Sequence, residues 1–150
     1  MNSIVKHKEE LKHTEPGKFE ETRFEKIHNV IFDNSDMASI AVAEEIAELI
    51  REKERKKEPC VLGLATGSSP IKVYEELVRM HQEEGLSFRN VITFNLDEYY
   101  PMSKDNPQRY WYFLHDHLFD QVDILPETIN LPDGLLAPED LHQFGIDDEL

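Results

Sequence analysis

The sequence is poor in cysteine, in positive charge and in long apolar runs, and each shortage excludes a class of protein. The single cysteine, Cys60, cannot form an internal disulfide, which argues against a disulfide-stabilised secreted fold. The 16 basic residues are outnumbered by 31 acidic ones, and the formal net charge of −15 disfavours binding to nucleic acid or to an anionic membrane. No run approaches the ~18 apolar residues of a membrane span, and the N-terminus lacks the apolar core of a signal peptide. These shortages predict a soluble protein of the reducing cytoplasm.

The rest of the composition is that of one globular domain. With 150 residues, of which 39% are hydrophobic, the chain is long enough for a single core. Residues 1–25 are rich in Lys, Glu and His and contain the breaker pair Pro16-Gly17. We therefore expect a polar N-terminal arm over residues 1–25 and a folded domain over residues 26–150. Cys60 is expected to be a small core residue at the start of a strand.

The histidines form no metal-site pattern. His7 and His13 lie in the polar arm, where solvated side chains are expected. His115 and His117 are two residues apart on a predicted helix and therefore do not face one ligand together. We predict no metal and no cofactor.

The apolar residues predict an alternation of strands and helices. The predicted strands are Ile27–Phe32, the run that begins at Val61, and Asn90–Leu96; the predicted helices are residues 37–54, 70–84 and 107–119. The short connections favour an α/β fold with a parallel sheet, right-handed crossovers and helices on both faces. The nearly continuous apolar run of residues 90–96 also suits a strand covered on both faces. Residues 122–132 are predicted to be extended, and a further helix is expected to begin at Pro138.

The stretch Thr66-Gly67-Ser68-Ser69-Pro70, called the serine-rich turn below, has the composition of an anion-binding turn. Gly67 lets the backbone turn sharply or approach a ligand closely, and its neighbours add hydroxyl donors. Ser69 is the predicted N-cap, and Pro70 the predicted first residue, of the following helix. The free N–H groups and the dipole at such a helix start favour an anion, most commonly a phosphate. The alternative is an ordinary capped turn, and the stretch matches neither a Walker loop nor a dinucleotide-binding motif.

Asp97 and Glu98 follow the next predicted strand directly. In a parallel sheet, ligands bind outside the carboxyl ends of the strands. If the two strands are neighbours, the serine-rich turn and the carboxylate pair share one cleft. We therefore predict that Gly63-Leu64 and Phe94-Asn95 lie on adjacent strands.

Three segments together resemble the glucosamine-6-phosphate deaminase family. They are Leu62–Pro70, Ser87–Tyr99, and Asn106–Tyr110 with the later Leu118-Phe119-Asp120. The resemblance covers roughly residues 27–134, and its specific part is Phe-Asn-Leu-Asp-Glu-Tyr at residues 94–99. It implies a modified Rossmann-like fold, a homohexamer and a small amino sugar phosphate as substrate. The reaction it implies is an aldose–ketose isomerisation coupled to loss of ammonia, which gives fructose 6-phosphate.

The resemblance also implies roles for individual residues. Asp97 matches the base that moves a proton between C2 and C1 of the open-chain sugar, and Glu98 follows in the same motif, where it orients or tunes that base. The matches to the phosphate loop of the family are Thr66, Gly67, Ser68 and Ser69. The chemistry agrees, because a partly desolvated carboxylate beside an anionic substrate is a better base.

The sequence departs from the family pattern in two respects. Arg109 stands where the family usually has serine, with an effect that the sequence leaves open, and Ser69 is a milder change. The Gly-rich family motif Asp-Gly-His-Ile-Ala-Phe-Asn-Glu-Pro, with its ring-opening histidine, does not occur in these residues, and neither do the downstream Arg and Lys phosphate ligands. We therefore interpret the chain as the N-terminal part of a longer enzyme and expect it to be inactive alone.

Two alternatives remain open. One is a sugar-phosphate lactonase or ketose isomerase on the same fold, and the triplet Asp97-Glu98-Tyr99 favours the deaminase or isomerase over the lactonase. The other is a non-catalytic sugar-phosphate-sensing domain of a transcription regulator. A regulator needs a basic DNA-binding module, whereas residues 1–25 show no helix-turn-helix pattern and the chain is acidic.

Overall fold

The computed structural model describes residues 30–103 and 106–135. The chain divides into two compact units, residues 1–31 and residues 32–150. Of the first unit only Val30 and Ile31 are described, and neither lies in a helix or strand. Every element named below belongs to the second unit. The predicted arm over residues 1–25 and the predicted helix at Pro138 lie outside the described residues.

Helices and strands alternate along the second unit. In chain order they are α1 Ser35–Lys56, β1 Cys60–Leu64, α2 Ile71–Glu84, β2 Val91–Asn95, α3 Tyr110–His117, two short 3-10 helices at Phe119–Gln121 and Pro126–Thr128, and β3 Ile129–Asn130. Asn34 caps α1, because its side-chain oxygen accepts the N–H of Met37 at 2.9 Å. Gly85 ends α2 with a left-handed φ of 71°.

The three strands form a parallel sheet in the order β1-β2-β3. Within it Gly63 pairs with Phe94 and Leu64 with Asn95, so the predicted adjacency of these two strands is confirmed. Both β1 and β2 are followed by a helix. The predicted α/β fold class with a parallel sheet is therefore confirmed as well.

The core lies between one face of this sheet and the long helices. The buried apolar side chains of the helices are Ala43, Ala47 and Ile50 of α1 and Tyr74, Leu77, Val78 and Met80 of α2. They pack with Cys60 of β1 and Val91 of β2, which pair with each other across the sheet. Cys60 is 1% exposed, which confirms its predicted place in the core.

The alternate residues of the strands face the other way. Val61 of β1 is 58% exposed and Phe94 of β2 is 51% exposed. Within residues 30–103 and 106–135, this second face of the sheet is therefore the more exposed one.

Three local predictions need correction. No strand is found at residues 30–32 of the predicted strand Ile27–Phe32, and its first three residues lie outside the described part. The third helix begins at Tyr110 and not at Pro107, because Arg109 has extended backbone with φ −70° and ψ 142°. Residues 129–130, predicted only as extended chain, pair with β2 as a third parallel strand.

Asp123 ties the segment after α3 to the turn before β2. Its Oδ1 accepts the N–H of Phe88 at 2.6 Å, and its Oδ2 accepts the hydroxyl of Ser87 at 2.9 Å. Burial is the largest single influence and raises the pKa of Asp123, but these hydrogen bonds together outweigh it. The pKa is therefore lower than its ordinary value of 3.8.

Among the residues that the structure describes, no helix combines the length and the apolar character needed to cross a membrane.

Candidate functional site

The serine-rich turn and Asp97 leave the sheet at the same edge. Leu64 and Asn95, the last residues of β1 and β2, pair with each other across the parallel strands. Thr66 and Asp97 each follow two residues later. The predicted juxtaposition of the turn and the carboxylates at one carboxyl edge is therefore confirmed.

Two side chains that the sequence analysis did not single out fix this edge. The amide Nδ2 of Asn95 donates to the carbonyl of Leu64 at 3.1 Å and so joins the two strand ends. The hydroxyl of Tyr74, which lies in α2, donates to the carbonyl of Ala65 at 2.6 Å. Burial raises the pKa of Tyr74 to about 12, so this hydroxyl remains a donor at neutral pH. The turn is thus anchored where it leaves the strand.

The turn itself has the predicted glycine geometry but not the predicted cap. Gly67 has a φ of 92°, a region that residues with a side chain rarely adopt. Pro70 and not Ser69 is the cap residue of α2, because Pro70 already has helical backbone angles and its carbonyl accepts the N–H of Tyr74 at 3.0 Å. No described side chain caps α2 by a hydrogen bond. The first N–H groups of this helix are consequently available to an anion.

Asp97 lies on an exposed segment that other parts of the chain hold in place. Asp97 itself is exposed to solvent, so the described residues do not supply the partial desolvation that we expect of a base. The N–H of Met102 donates to the carbonyl of Gly134 at 2.9 Å. A Cβ at Gly134 would lie 2.6 Å from the carbonyl oxygen of Tyr99, so only glycine allows this close approach.

Glu98 is buried and fully engaged. Its Oε1 accepts the N–H groups of Tyr99 at 3.0 Å and Tyr110 at 2.9 Å, and its Oε2 accepts the N–H of Trp111 at 3.0 Å. Glu98 thereby caps α3 from another segment of the chain, which explains why α3 begins at Tyr110. The same Oε2 accepts the Nε–H of Arg109 at 2.8 Å, and both side chains are 1% exposed.

The surroundings of Glu98 favour its ionised form. Burial is the largest influence and raises the pKa of Glu98, but three backbone N–H groups and the Arg109 guanidinium together outweigh it. The pKa is therefore lower than the ordinary value of 4.5. Its hydrogen bonds give Glu98 a structural role at the edge of the site, beside the catalytic role that the sequence suggests.

Arg109, whose effect the sequence left open, is the partner of Glu98. Besides that ion pair, its Nη2 donates to the carbonyl of Pro132 at 3.3 Å. Arg109 therefore joins the start of α3, the Asp97 segment and the chain after β3. Its Nη1 is buried and has no hydrogen-bond partner among the described residues.

Aromatic rings surround the start of α3. The ring centroids of Tyr99 and Tyr110 lie 4.7 Å apart, and the ring of Trp111 stacks on His115 with a centroid distance of 3.8 Å.

A surface cavity of about 360 Å³ lies beside Trp111 and His115. It is lined by Arg109 and Asp133 among others, but not by the serine-rich turn or Asp97. Within the described ranges no group of three or more His, Cys, Asp or Glu side chains could hold a metal ion.

The site residues that sequence reasoning missed are Tyr74, Asn95 and Tyr110. Tyr74 and Tyr110 lie in apolar patterns, where core packing is the ordinary explanation for an aromatic residue. An asparagine inside a mostly apolar run, as Asn95 is in the predicted strand Asn90–Leu96, is the one signal that could have been noticed.

A comparison of the sequence with models of known protein families identifies the family of this chain. Residues 33–142 match the family described as glucosamine-6-phosphate isomerases/6-phosphogluconolactonase. The chain belongs to this family. The matched range includes β1, β2, the serine-rich turn, Asp97 and α3.

Relatives within the glucosamine-6-phosphate isomerase/6-phosphogluconolactonase family carry deaminase names. Glucosamine-6-phosphate deaminase 2 of Giardia intestinalis is 50% identical over 101 residues, which are 67% of this chain and 37% of that protein. Glucosamine-6-phosphate deaminase of Porphyromonas gingivalis is 45% identical over 123 residues, which are 79% of this chain and 47% of that protein. The chain thus spans less than half the length of these two relatives.

Solved structures of the same family share the fold. A monomeric glucosamine-6-phosphate deaminase is 33% identical, with a TM-score of 0.67, and the match covers 78% of this chain and 51% of that one. The 6-phosphogluconolactonase of Thermotoga maritima is 21% identical, with a TM-score of 0.57. That match covers 71% of this chain and 46% of the lactonase chain. The predicted Rossmann-like fold of this family is therefore confirmed.

Proposed function

We propose that this chain is the N-terminal part of a glucosamine-6-phosphate deaminase. In the proposed reaction, glucosamine 6-phosphate and water give fructose 6-phosphate and ammonia, by isomerisation of the open-chain amino sugar and hydrolytic loss of the amine. The observation that carries this proposal is the pairing of Leu64 with Asn95, which puts the serine-rich turn and Asp97 at one edge of the sheet. The deaminase names of relatives at 45–50% identity support the choice of substrate.

The proposed phosphate site consists of Thr66, Gly67, Ser68 and Ser69. The left-handed Gly67 turns the backbone at this point, and the uncapped start of α2 offers N–H groups and a positive dipole end. Weak binding is expected, since the chain has none of the downstream Arg and Lys ligands that the resemblance implies.

Asp97 is the proposed base. Its carboxylate takes the C2 proton from the open-chain sugar and returns it to C1, so that the aldose becomes a ketose without net proton transfer. Glu98 supports Asp97 by fixing the segment that carries it. The ring-opening step lies outside this proposal, because no described residue is assigned to it. For that reason we expect the 150-residue chain to bind substrate without turning it over.

A titration followed by amide NMR tests the binding half of the proposal. Inorganic phosphate and glucosamine 6-phosphate should both shift the amides of Gly67, Ser68, Ser69 and Ile71, with millimolar affinity. Tighter binding of 6-phosphogluconate than of glucosamine 6-phosphate would favour the lactonase alternative. Shifts confined to other parts of the chain would contradict the phosphate site.

Asp97→Asn tests the catalytic half. We expect the substitution to lower kcat by about 10²–10⁴ and to leave KM nearly unchanged, because asparagine keeps the size but cannot accept the proton. The measurement is exchange of the C2 hydrogen with solvent deuterium, in a chimera where residues 33–135 replace the matching segment of the Porphyromonas gingivalis deaminase. Asp36→Asn, at the exposed start of α1, is the matched control. Exchange at the wild-type rate in Asp97→Asn would show that Asp97 is not the base, and would favour the sensor alternative.

The assembly is a separate part of the proposal. The resemblance implies a homohexamer for the complete enzyme, whereas one solved relative is monomeric. Light scattering of the chimera and of the chain alone distinguishes the two states.

A further inference from the structure

Tyr74 makes hydrogen bonds to both ends of the serine-rich turn. Its hydroxyl donates to the carbonyl of Ala65 at 2.6 Å, directly before the turn. Its backbone N–H donates to the carbonyl of Pro70, the last residue of the turn, at 3.0 Å. A single residue of α2 therefore links the two ends of the turn.

The middle of the turn has no such support. Within the described ranges, no backbone–backbone hydrogen bond holds Gly67, Ser68 or Ser69. Gly67 has a φ of 92° and open space where a Cβ would lie, so neighbouring atoms do not confine it. The shape of the turn consequently depends on how its ends are held.

The two carbonyls before the turn are held from two different elements. The amide of Asn95, the last residue of β2, donates to the carbonyl of Leu64 at 3.1 Å. This bond positions the turn against the strand that leads to Asp97. The bond from Tyr74 to Ala65 positions the turn against α2, whose first N–H groups face the proposed anion site.

The hydroxyl of Tyr74 is a fixed donor. Tyr74 is 3% exposed and belongs to the same core cluster as Leu77 and Cys60, so its ring cannot swing away from the turn. The raised pKa of Tyr74, about 12, keeps the hydroxyl protonated at neutral pH. Ala65 is exposed, so water could replace the hydroxyl at its carbonyl, but water would not tie that carbonyl to α2.

We propose that Tyr74 is a positioning residue of the phosphate site, whose buried hydroxyl holds the serine-rich turn in the shape that receives the anion. The inference rests on the proposed function, in which the phosphate lies on N–H groups of the turn and of the start of α2. These donors belong to two segments, so they converge on one anion only while the turn keeps its place against the helix. Donors that are arranged before binding also cost less free energy to order when the ligand arrives.

Tyr74→Phe in the 150-residue chain tests the inference, because it removes only the hydroxyl and keeps the buried ring. Affinities of inorganic phosphate and of glucosamine 6-phosphate are measured from the amide shifts of Gly67, Ser68 and Ser69. We expect both affinities to fall about three- to tenfold, the effect of one hydrogen bond. The factor should be the same for both probes, because they share the phosphate group.

Val78→Ala is the matched control. Val78 is 7% exposed and lies one helical turn beyond Tyr74 in α2. The substitution lowers stability by removing buried methyl groups, but it leaves the hydrogen bonds of the turn intact. It should therefore leave both affinities within about twofold. Urea unfolding of the two variants identifies conditions in which each is folded, and the titrations are made there.

The outcomes separate this inference from the function on which it rests. Unchanged affinity for both probes in Tyr74→Phe would overturn the inference alone. An equal loss in Val78→Ala would show that affinity follows stability, and a loss confined to glucosamine 6-phosphate would place the effect on the sugar; either result would overturn the inference as well. Failure of the wild-type chain to bind either probe at Gly67–Ser69 would overturn the proposed function and this inference together.

Discussion

At the scale of single residues, burial decides which ion pair matters. Arg109 and Glu98 form one bond at 2.8 Å with both side chains 1% exposed. Arg79 on α2 contacts three carboxylates, of Glu76, Glu83 and Glu84, at 2.6–3.0 Å, but its side chain is 39% exposed. Water screens the larger network, whereas removal of one member of the buried pair leaves an uncompensated charge in the interior.

A matched pair of substitutions tests this difference. We expect Arg109→Met to lower the free energy of unfolding by about 3–5 kcal/mol. Arg79→Met should cost at most about 1 kcal/mol, because its network is exposed. Urea unfolding gives both values. Equal losses in the two variants would show that the Glu98–Arg109 pair is not stabilised by its surroundings in the way described.

At the scale of elements, the unit formed by β1, the serine-rich turn and α2 depends on one glycine. Gly67 has a φ of 92°, whereas Gly63 in β1 has ordinary strand geometry and open space where a Cβ would lie. The two glycines are four residues apart but differ in what they require of the backbone.

Gly67→Ala is expected to destabilise the protein by roughly 1–2 kcal/mol, because a side chain disfavours the left-handed backbone. It should also weaken phosphate binding, since the turn must change shape. Gly63→Ala is the control, and we expect it to be neutral or stabilising by up to about 1 kcal/mol. Thermal unfolding and the phosphate titration check both variants. A fully stable Gly67→Ala variant with unchanged phosphate affinity would contradict the role given to this turn.

The elements that the sequence predicted are those specified locally. The apolar stripe of α1 and the apolar run of β2 depend on residues close in sequence. The start of α3 depends on Glu98, 12 residues earlier, whose carboxylate accepts the N–H of Tyr110. The strand β3 depends on its pairing with Thr93. Such long-range partners leave no periodic signal in a single sequence.

At the scale of the whole molecule, the chain matches about half the length of its solved relatives. One face of the sheet is buried against helices, while Val61 and Phe94 of the other face are about half exposed. Solved relatives are about twice as long as the matched part. The sequence could predict the sheet and the edge where the site lies, from strand order and motif position.

Stability should fall on acidification in a window set by Glu98 and Asp123. The folded-state pKa of each is lower than its ordinary value of 4.5 or 3.8, which approximates the unfolded state. Each carboxylate therefore contributes stability that is fully present above the unfolded value and is lost as pH falls through the folded value. Urea unfolding at pH 7, 4 and 3 measures the decline, and Glu98→Gln should make it shallower. A decline of the same steepness in Glu98→Gln and wild type would exclude Glu98 as a contributor.

The stacked pair of Trp111 and His115 has an optical consequence. Trp111 is the only tryptophan of the sequence. Its backbone N–H donates to Glu98, and its ring centroid lies 3.8 Å from that of His115. Every photon of indole emission from this chain therefore originates beside the Glu98–Arg109 pair and one residue from Tyr110. The chain carries a built-in fluorophore at the edge of its site, so a change in its emission reports a change in the surroundings of that edge.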